Sequence, residues 1–402
     1  MPRESTSFMK TAKEFEARLI SALLANAEYK ELLLAIEGLQ SNFRKVLRVN
    51  PLKRDVLPEL FQEQLKQLQP LENVVDAYSY TDKESVEHLE LWQAAGLCFL
   101  QEPSAVEVAS HALLEEPGLI VDLCAAPGAK STFIGERLLP GVHLLSNDIN
   151  QKRAHKLSAL MSRQGVENAS IWSLPPKMLA EEVAGLASLV LVDAPCSSES
   201  FFAKRKEKRA DVRDSDVQNF ARMQFEALEA AYRMMQPGAR LIYSTCTYNQ
   251  IENEDQVESF IERHDDLEIV LQQRRWPHLD GVPGGYFCIL QRSGVLAELP
   301  LEGFFALKNL KQKQGFIRNS LFDWRGEEDL YHKSMSSQWA GRSCDLNEQQ
   351  AQSFIRGESV SIDLAKEYLS QPVRVTWQNL AIGVGKAVAG RINNLIPKTL
   401  RF

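Results

Sequence analysis

The sequence predicts an α/β protein. Its centre is a mostly parallel sheet with helices on both faces. A small N-terminal α/β domain and a C-terminal mixed domain flank it. Three observations carry this reading. From about residue 119, apolar runs of strand length alternate with amphipathic runs of helix length. At VDLCAAPGAKSTF a strand passes into a helix through a glycine turn. The predicted strands close on polar or reactive residues: Asp122, Asp148, Asp193 and Cys246. In such sheets, sites lie beyond the carboxyl ends of the strands.

With 402 residues the chain exceeds one ordinary core and suits two or three domains. A composition 44% hydrophobic and 25% charged belongs to a globular chain and excludes a disordered one. No apolar stretch reaches the roughly 18 residues of a membrane helix. The segment MPRESTSFMKTAKEFEARL has no apolar signal core. Six cysteines do not form a disulfide framework, so a reducing, cytoplasmic setting is expected.

The elements follow in order. Residues 8–40 read helical, with Phe15, Leu19, Leu23 and Leu24 at helical spacing. FRKVLRVNPLK reads as a strand ending at Pro51, and PELFQEQLKQLQ as a helix, completing a domain over 1–88. Residues 89–292 hold the alternating core. Strands are expected near 119–123, in GVHLLSNDI, at 169–172, 188–192 and 240–245, and in GGYFCILQR. Helices are expected in KSTFIGERL, INQKRAHKLSALMSRQG and 214–236. From 293 to 402 the character changes, with strand-like PVRVTWQNLAIGVG, and a separate mixed domain is expected.

In the glycine turn, Pro127, Gly128 and Ala129 make the bend and Lys130 opens the helix, whose free N–H groups face a ligand. Neither GxGxxG nor GxxxxGK[ST] is present, which argues against a dinucleotide or triphosphate. Asp148 ends the next strand, where a carboxylate can accept both ribose hydroxyls of a nucleoside cofactor or simply cap the following helix.

Cys196 in VDAPCSSES and Cys246 in YSTCTYNQIENE each follow an apolar run. Cytosine is a poor nucleophile at carbon 5. A thiolate adding to carbon 6 makes the ring enamine-like, and carbon 5 then accepts a methyl group. The thiolate must leave as carbon 5 loses its proton. The chain offers one cysteine for attack, a second for release, and Asp193 to protonate or hydrogen-bond nitrogen 3. The plainer reading is two buried structural thiols. Their polar strand-end settings argue against it. Cys98 and Cys288 lie in apolar runs and read as core. Cys344 carries no signal. No C-x-x-C pair exists and the seven histidines are scattered, so no metal is expected.

These residues resemble the Sun family of RNA cytosine-5 methyltransferases, in its bacterial small-subunit ribosomal RNA branch. The motifs are RVNPLK (48–53), GLCFLQEPSA (96–105), DLCAAPGAK (122–130), DAPCS (193–197) and STCTYNQIENE (244–254). The glycine-rich NLAIGVGKAVAGRINNLIPKTLR is similar to a terminal, PUA-like RNA-binding module. The resemblance implies a Rossmann-like S-adenosylmethionine-dependent methyltransferase core. It implies Cys246 as the nucleophile, Cys196 for product release, and Asp193 beside both cofactor and base. It implies Cys124, Ala125, Ala126, Pro127, Gly128, Ala129 and Lys130 as the cofactor loop, with Asp148 on the ribose. Asn253 and Glu254 would shape the loop after the nucleophile, or cap the helix that ENE opens.

Three departures from the family pattern stand out. Pro175 and Pro176 occupy the place of a carboxylate beside adenine. Ser198 and Ser200 replace two glycines, making any φ > 0 there costly. The net charge of -7 is acidic for an enzyme of ribosomal RNA.

Basic residues nevertheless cluster around 44–54, 204–209 and 386–401. Arg48, Asn50, Lys53, Lys204, Arg205, Lys386 and Arg391 are candidate RNA contacts. The expected partner is ribosomal RNA, free or within the small subunit, met by a monomer without membrane or metal. The same chemistry on transfer RNA, or a noncatalytic RNA-binding assembly factor, are the alternatives.

Overall fold

The computed structural model describes residues 43–81, 86–200, 214–297, 316–318, 327–337 and 339–402. The helix expected over 8–40, and Lys204 and Arg205, lie outside the described residues.

A four-stranded antiparallel sheet comes first: β1 (Lys45–Val49), β2 (Gln69–Pro70), β3 (Ala77–Tyr80) and β4 (Cys98–Gln101), in the order β2-β3-β1-β4. β1 stops where Asn50 and Pro51 turn the chain, because proline donates nothing to a ladder. β4 comes from beyond residue 88 and pairs with β1, so this sheet crosses the boundary expected there.

The central sheet has eight strands. β5 (Gly118–Asp122), β6 (Val142–Asn147), β7 (Ala169–Trp172), β8 (Ala187–Asp193) and β9 (Met235–Thr245) are parallel. β10 (Leu267–Arg275), β11 (Gly285–Arg292) and β12 (Phe316–Arg318) are antiparallel additions, giving β10-β11-β9-β8-β5-β6-β7-β12. The parallel strands are buried on both faces, which is why they read as unbroken apolar runs. Strand order reverses between β5 and β8, the switch point beyond whose strand ends sheets of this kind bind their ligands. The helix Gln151–Gln164 illustrates the punctuation. Asn150 caps its start by accepting from the N–H groups of Lys152 and Arg153, and left-handed Gly165 ends it.

Two strands of the central sheet depart from the sequence reading. β10 was unmarked because only Leu267 in it is buried, leaving no periodic apolar signal. β12 comes from the region read as a separate C-terminal domain, yet it covers the outer edge of β7 and satisfies backbone groups there.

A third sheet follows: β13 (Arg342–Asp345), β14 (Val360–Ser361), β15 (Pro372–Trp377), β16 (Leu380–Val388) and β17 (Arg391–Asn394), ordered β13-β15-β16-β17-β14. PVRVTWQNLAIGVG is a hairpin. Gln378 and Asn379, both at positive φ, make the two-residue turn that matches strand twist. The first and third sheets share a hydrophobic core. The Trp92 ring lies 4.6 Å from that of Trp377 and 5.4 Å from that of Phe61. Among the described residues no helix is long and apolar enough to cross a membrane.

Candidate active site

The turn after β5 lies at this switch point. Gly128 sits at φ +118, and a Cβ there would approach Leu157 Cδ1 to 2.9 Å, so only glycine lets the turn pass this close to the next helix. Asp122 ends β5 and is buried. Its Oδ2 accepts from Ser131 Oγ at 2.5 Å, while its Oδ1 is buried with no hydrogen-bond partner among the described residues. Burial pushes its carboxyl up to about 7, with the charges of Asp193 and Asp148 adding to the shift and Ser131 and Lys130 opposing it. Asp148, also buried, accepts from the Asn150 N–H at 2.9 Å and pairs with Arg153 at 3.3 Å. Burial raises this carboxyl as well, against those bonds. Asp148 is therefore not the cap of the following helix; Asn150 is. Three neighbouring carboxylates, one with an unused buried oxygen, suit a cationic nucleoside bearing a ribose diol. Cys124, Ala125 and Ala126 line the turn, and the Ala125 N–H donates to Asn147 O at 2.8 Å. Pro175 precedes and Pro176 opens a short helix after β7. Asn147 ties that stretch down through both the N–H and the carbonyl of Leu174.

β8 and β9 are adjacent, so the residues at their ends meet. Asp193 Oδ1 accepts from Ser244 Oγ at 2.8 Å, and its Oδ2 lies 2.6 Å from Lys130 Nζ. Burial alone would pull the Lys130 ammonium down, but Asp193 more than offsets this and holds it above its ordinary value. Cys196 and Cys246, fifty residues apart in sequence, bring their sulfurs within 3.2 Å. The Cys246 N–H also points at Cys196 Sγ, at 3.4 Å. Cys196 is buried and Cys246 half-buried. The pair shares protons unequally. A hydrogen bond from Cys196 lowers the Cys246 thiol, with Ser198 and Lys130 helping against burial. That same bond, with burial, raises Cys196 well above the ordinary range. Burial also pushes up Cys98, Cys124, Cys288 and Cys344, so Cys246 alone is biased toward thiolate.

Sequence reasoning missed the groups that hold these loops. Glu252 is fully buried. It accepts from the Ser197 N–H at 3.0 Å, Gln224 Nε2 at 2.8 Å and Asn249 Nδ2 at 2.7 Å. Glu199 accepts from the N–H groups of Tyr248 and Asn249. The sequence carried no signal for them: Glu252 lies in the polar stretch NQIENEDQ and Glu199 between two serines, and only the folded partners show that they are buried. Asn253 shapes the loop rather than capping the helix. It accepts from Thr245 Oγ1 at 2.6 Å and donates to Thr247 O at 3.1 Å. Glu254 is paired with Arg274. Of the two serines expected to be costly at positive φ, Ser198 is held at +59 and Ser200 is not. The left-handed region costs a side-chain-bearing residue about 1–2 kcal/mol.

The RNA candidates separate. Arg48 is wholly buried. It pairs with Glu136 at 2.9 Å and donates to Thr132 Oγ1 at 2.9 Å and Ala129 O at 3.1 Å. Asn50 is buried on the carbonyls of Gly96 and Gln164. Lys53 Nζ is spent on the carbonyls of Ala95 and Arg163, at 2.6 and 2.8 Å. The reading of these three as RNA contacts is corrected: their polar groups lock the first sheet to the helix Ala129–Gly135 and to the end of Gln151–Gln164. Lys386 and Arg391 are exposed on the β16–β17 hairpin.

Comparison with known proteins places this geometry. Residues 112–283 match the family described as 16S rRNA methyltransferase RsmB/F, and residues 342–402 match the methyltransferase RsmF PUA domain. Together these matches span more than half of the chain. The ribosomal RNA small subunit methyltransferase F of Klebsiella pneumoniae (strain 342) is 22% identical, over 99% of this chain and 97% of its own length. That of Pectobacterium atrosepticum is 31% identical, over 54% of this chain and 47% of its own. Apart from the first, the chain thus spans about half the length of the curated relatives it matches. Among solved structures, NSun6 from Pyrococcus horikoshii with SFG aligns at TM-score 0.58, 17% identity, over 71% of this chain and 98% of that one. A methyltransferase homolog from the same organism aligns at 0.57, 18% identity, over 71% and 99%. These two likenesses show the fold. With these two matching family models and a relative aligned along nearly its full length, residues 112–283 belong to the 16S rRNA methyltransferase RsmB/F family, on an S-adenosylmethionine-dependent methyltransferase fold, and residues 342–402 to the RsmF PUA domain.

Proposed function

We propose that the chain methylates carbon 5 of a cytosine in small-subunit ribosomal RNA through a covalent bond between Cys246 and carbon 6. The observation that carries this reading is the 3.2 Å thiol pair beside the Lys130–Asp193 ion pair at the mouth of the cofactor turn. The lowered Cys246 thiol supplies the nucleophile. Its sulfur lone pair forms the bond to carbon 6, and the carbon 5–carbon 6 π electrons shift toward carbon 5 and the ring nitrogen. In this reading Asp193, held by Lys130 and Ser244, takes up a proton from solvent and shares it with nitrogen 3, where negative charge collects. S-adenosylmethionine, when bound, supplies the electrophilic methyl group. Asp148 would hold its ribose, with residues 124–130 around its methionine end. Release needs the carbon 5 proton removed and the carbon 6–sulfur bond broken. In this reading Cys196, 3.2 Å from Cys246, gives up its own proton to solvent once Cys246 is bound to the base, and its thiolate then takes the carbon 5 proton as the Cys246 sulfur leaves. The base must leave its stack to reach these thiols, which is cheapest in a loop or an unpaired stretch.

We assign the core over 89–292 to catalysis, and the flanking regions 1–88 and 293–402 to RNA, with Lys386 and Arg391 as contacts. Lys204 and Arg205, directly after the Cys196 loop in sequence, extend that proposal. The test is methyl-labelled S-adenosylmethionine offered with free small-subunit RNA, small subunits and transfer RNA separately. Label recovered as 5-methylcytosine in ribosomal RNA or subunits is expected. Label in transfer RNA alone would move the substrate, and its absence from all three would leave a noncatalytic RNA-binding factor.

A further inference from the structure

Ser198 stands where two costs meet without an evident structural return. It is held at φ +59, in the region that glycine enters freely and serine does not. It is also half-buried inside the cysteine site. A glycine would relieve the backbone, so what the serine adds is its hydroxyl. That oxygen lies 3.6 Å from Cys246 Sγ, 3.9 Å from Cys196 Sγ, and 3.2 Å from the Cys196 carbonyl, to which it donates. With Cys246 protonated, the contacts form a chain: thiol to hydroxyl, hydroxyl to carbonyl. Once Cys246 has lost its proton, the sulfur can only accept. A hydroxyl turns about one bond, so the same oxygen can redirect its hydrogen from the carbonyl to the sulfur. The left-handed backbone is what keeps that oxygen within reach of both acceptors.

We propose that Ser198 is a positioning residue for the Cys246 thiolate: its hydroxyl leaves the Cys196 carbonyl and donates to Cys246 Sγ when that thiol ionises. The thiolate then has two side-chain donors, the Cys196 thiol at 3.2 Å and the Ser198 hydroxyl at 3.6 Å. Hydrogen bonds to an ionised acceptor are the stronger class. The lowering of Cys246, to which Ser198 contributes after Cys196, agrees with this geometry. The inference rests on the reading of Cys246 as the attacking group.

The experiment is alkylation of Cys246 by iodoacetamide in the full chain, followed across roughly pH 6 to 10, the range over which thiols titrate. Modification is read by mass spectrometry of the Cys246 peptide. Ser198→Ala keeps the backbone strain and loses the hydroxyl; Ser198→Gly loses both. The midpoint is expected to rise in both variants, leaving about threefold to tenfold less thiolate at neutral pH. Unchanged midpoints in both would overturn the proposal. A shift in Ser198→Ala that is absent in Ser198→Gly would also overturn it, because the effect would then belong to the backbone. Ser198→Gly relieves the backbone, so it serves as the folding control. The alkylation readout uses no RNA and no methyl donor. Shifted midpoints with no methyl transfer to any RNA would support the thiolate contact and sink the methyltransferase reading. Methyl transfer with unshifted midpoints would do the reverse.

Discussion

Asp193 and Lys130 form an ion pair at 2.6 Å beside two thiols, and their roles can be separated by substitution. Asp193→Asn removes the carboxylate that we propose faces the base and leaves Cys246 in place. Methyl transfer should fall by about 10²–10⁴-fold, the usual worth of a positioned acid or base, while Cys246 remains reactive to alkylation. Loss of both activities together would point to a collapsed site instead. Asp122 makes a different prediction, about stability. Its folded pKa, about 7, lies above the ordinary carboxylate value because it is buried. The folded state therefore binds a proton more tightly than the unfolded chain. The stabilisation from that proton is complete below the unfolded value near 3.8 and is lost as pH rises through about 7. Asp122→Asn should flatten the decline between these limits, recovering on the order of 1–4 kcal/mol at neutral pH. Urea unfolding at several pH values checks it, and parallel curves for the two proteins would contradict it.

At the scale of elements, Arg48 links β1 to the helix that opens the cofactor turn. Its guanidinium and Glu136 are both fully buried. Arg48→Ala leaves Glu136 without this partner and should cost about 3–5 kcal/mol in unfolding experiments. A cost below about 1 kcal/mol, as for a surface pair, would contradict the assignment. The same residue shows where sequence reading stops. RVNPLK was visible as a motif, but its charges were taken as surface, because spacing along a strand does not reveal a glutamate eighty-eight residues away. The parallel core was legible because strands buried on both faces leave apolar runs, with Asp122, Asp193 and Cys246 at their carboxyl ends. β10 was not legible, since only Leu267 in it is buried. Cys196 and Cys246 could be singled out separately. Their meeting depends on β8 and β9 being neighbours, and that is a fact of topology. Glu252 and Glu199, which hold both loops, were missed for the same reason: a buried acid is recognisable only once its donors are in place.

Across the whole molecule, the first and third sheets close on one core through Trp92 and Trp377. Trp377→Ala should destabilise by about 3–5 kcal/mol. Amide exchange should then rise in β1 as well as in β15, and exchange confined to the third sheet would contradict a shared core. The net charge of -7 means RNA must be met by local patches. Lys386→Ala and Arg391→Ala should each reduce the salt slope of RNA binding by about one if they touch phosphates, with little change in fold.

The central claim is that Cys246 bonds to the base and Cys196 releases it. The most direct measurement incubates Cys196→Ala with ribosomal RNA and S-adenosylmethionine and looks for a protein–RNA adduct that survives denaturation. An adduct mapped to Cys246, absent when Cys246→Ala is added, is the predicted result. No adduct from an otherwise folded, RNA-binding Cys196→Ala protein, or an adduct on another residue, would contradict the account.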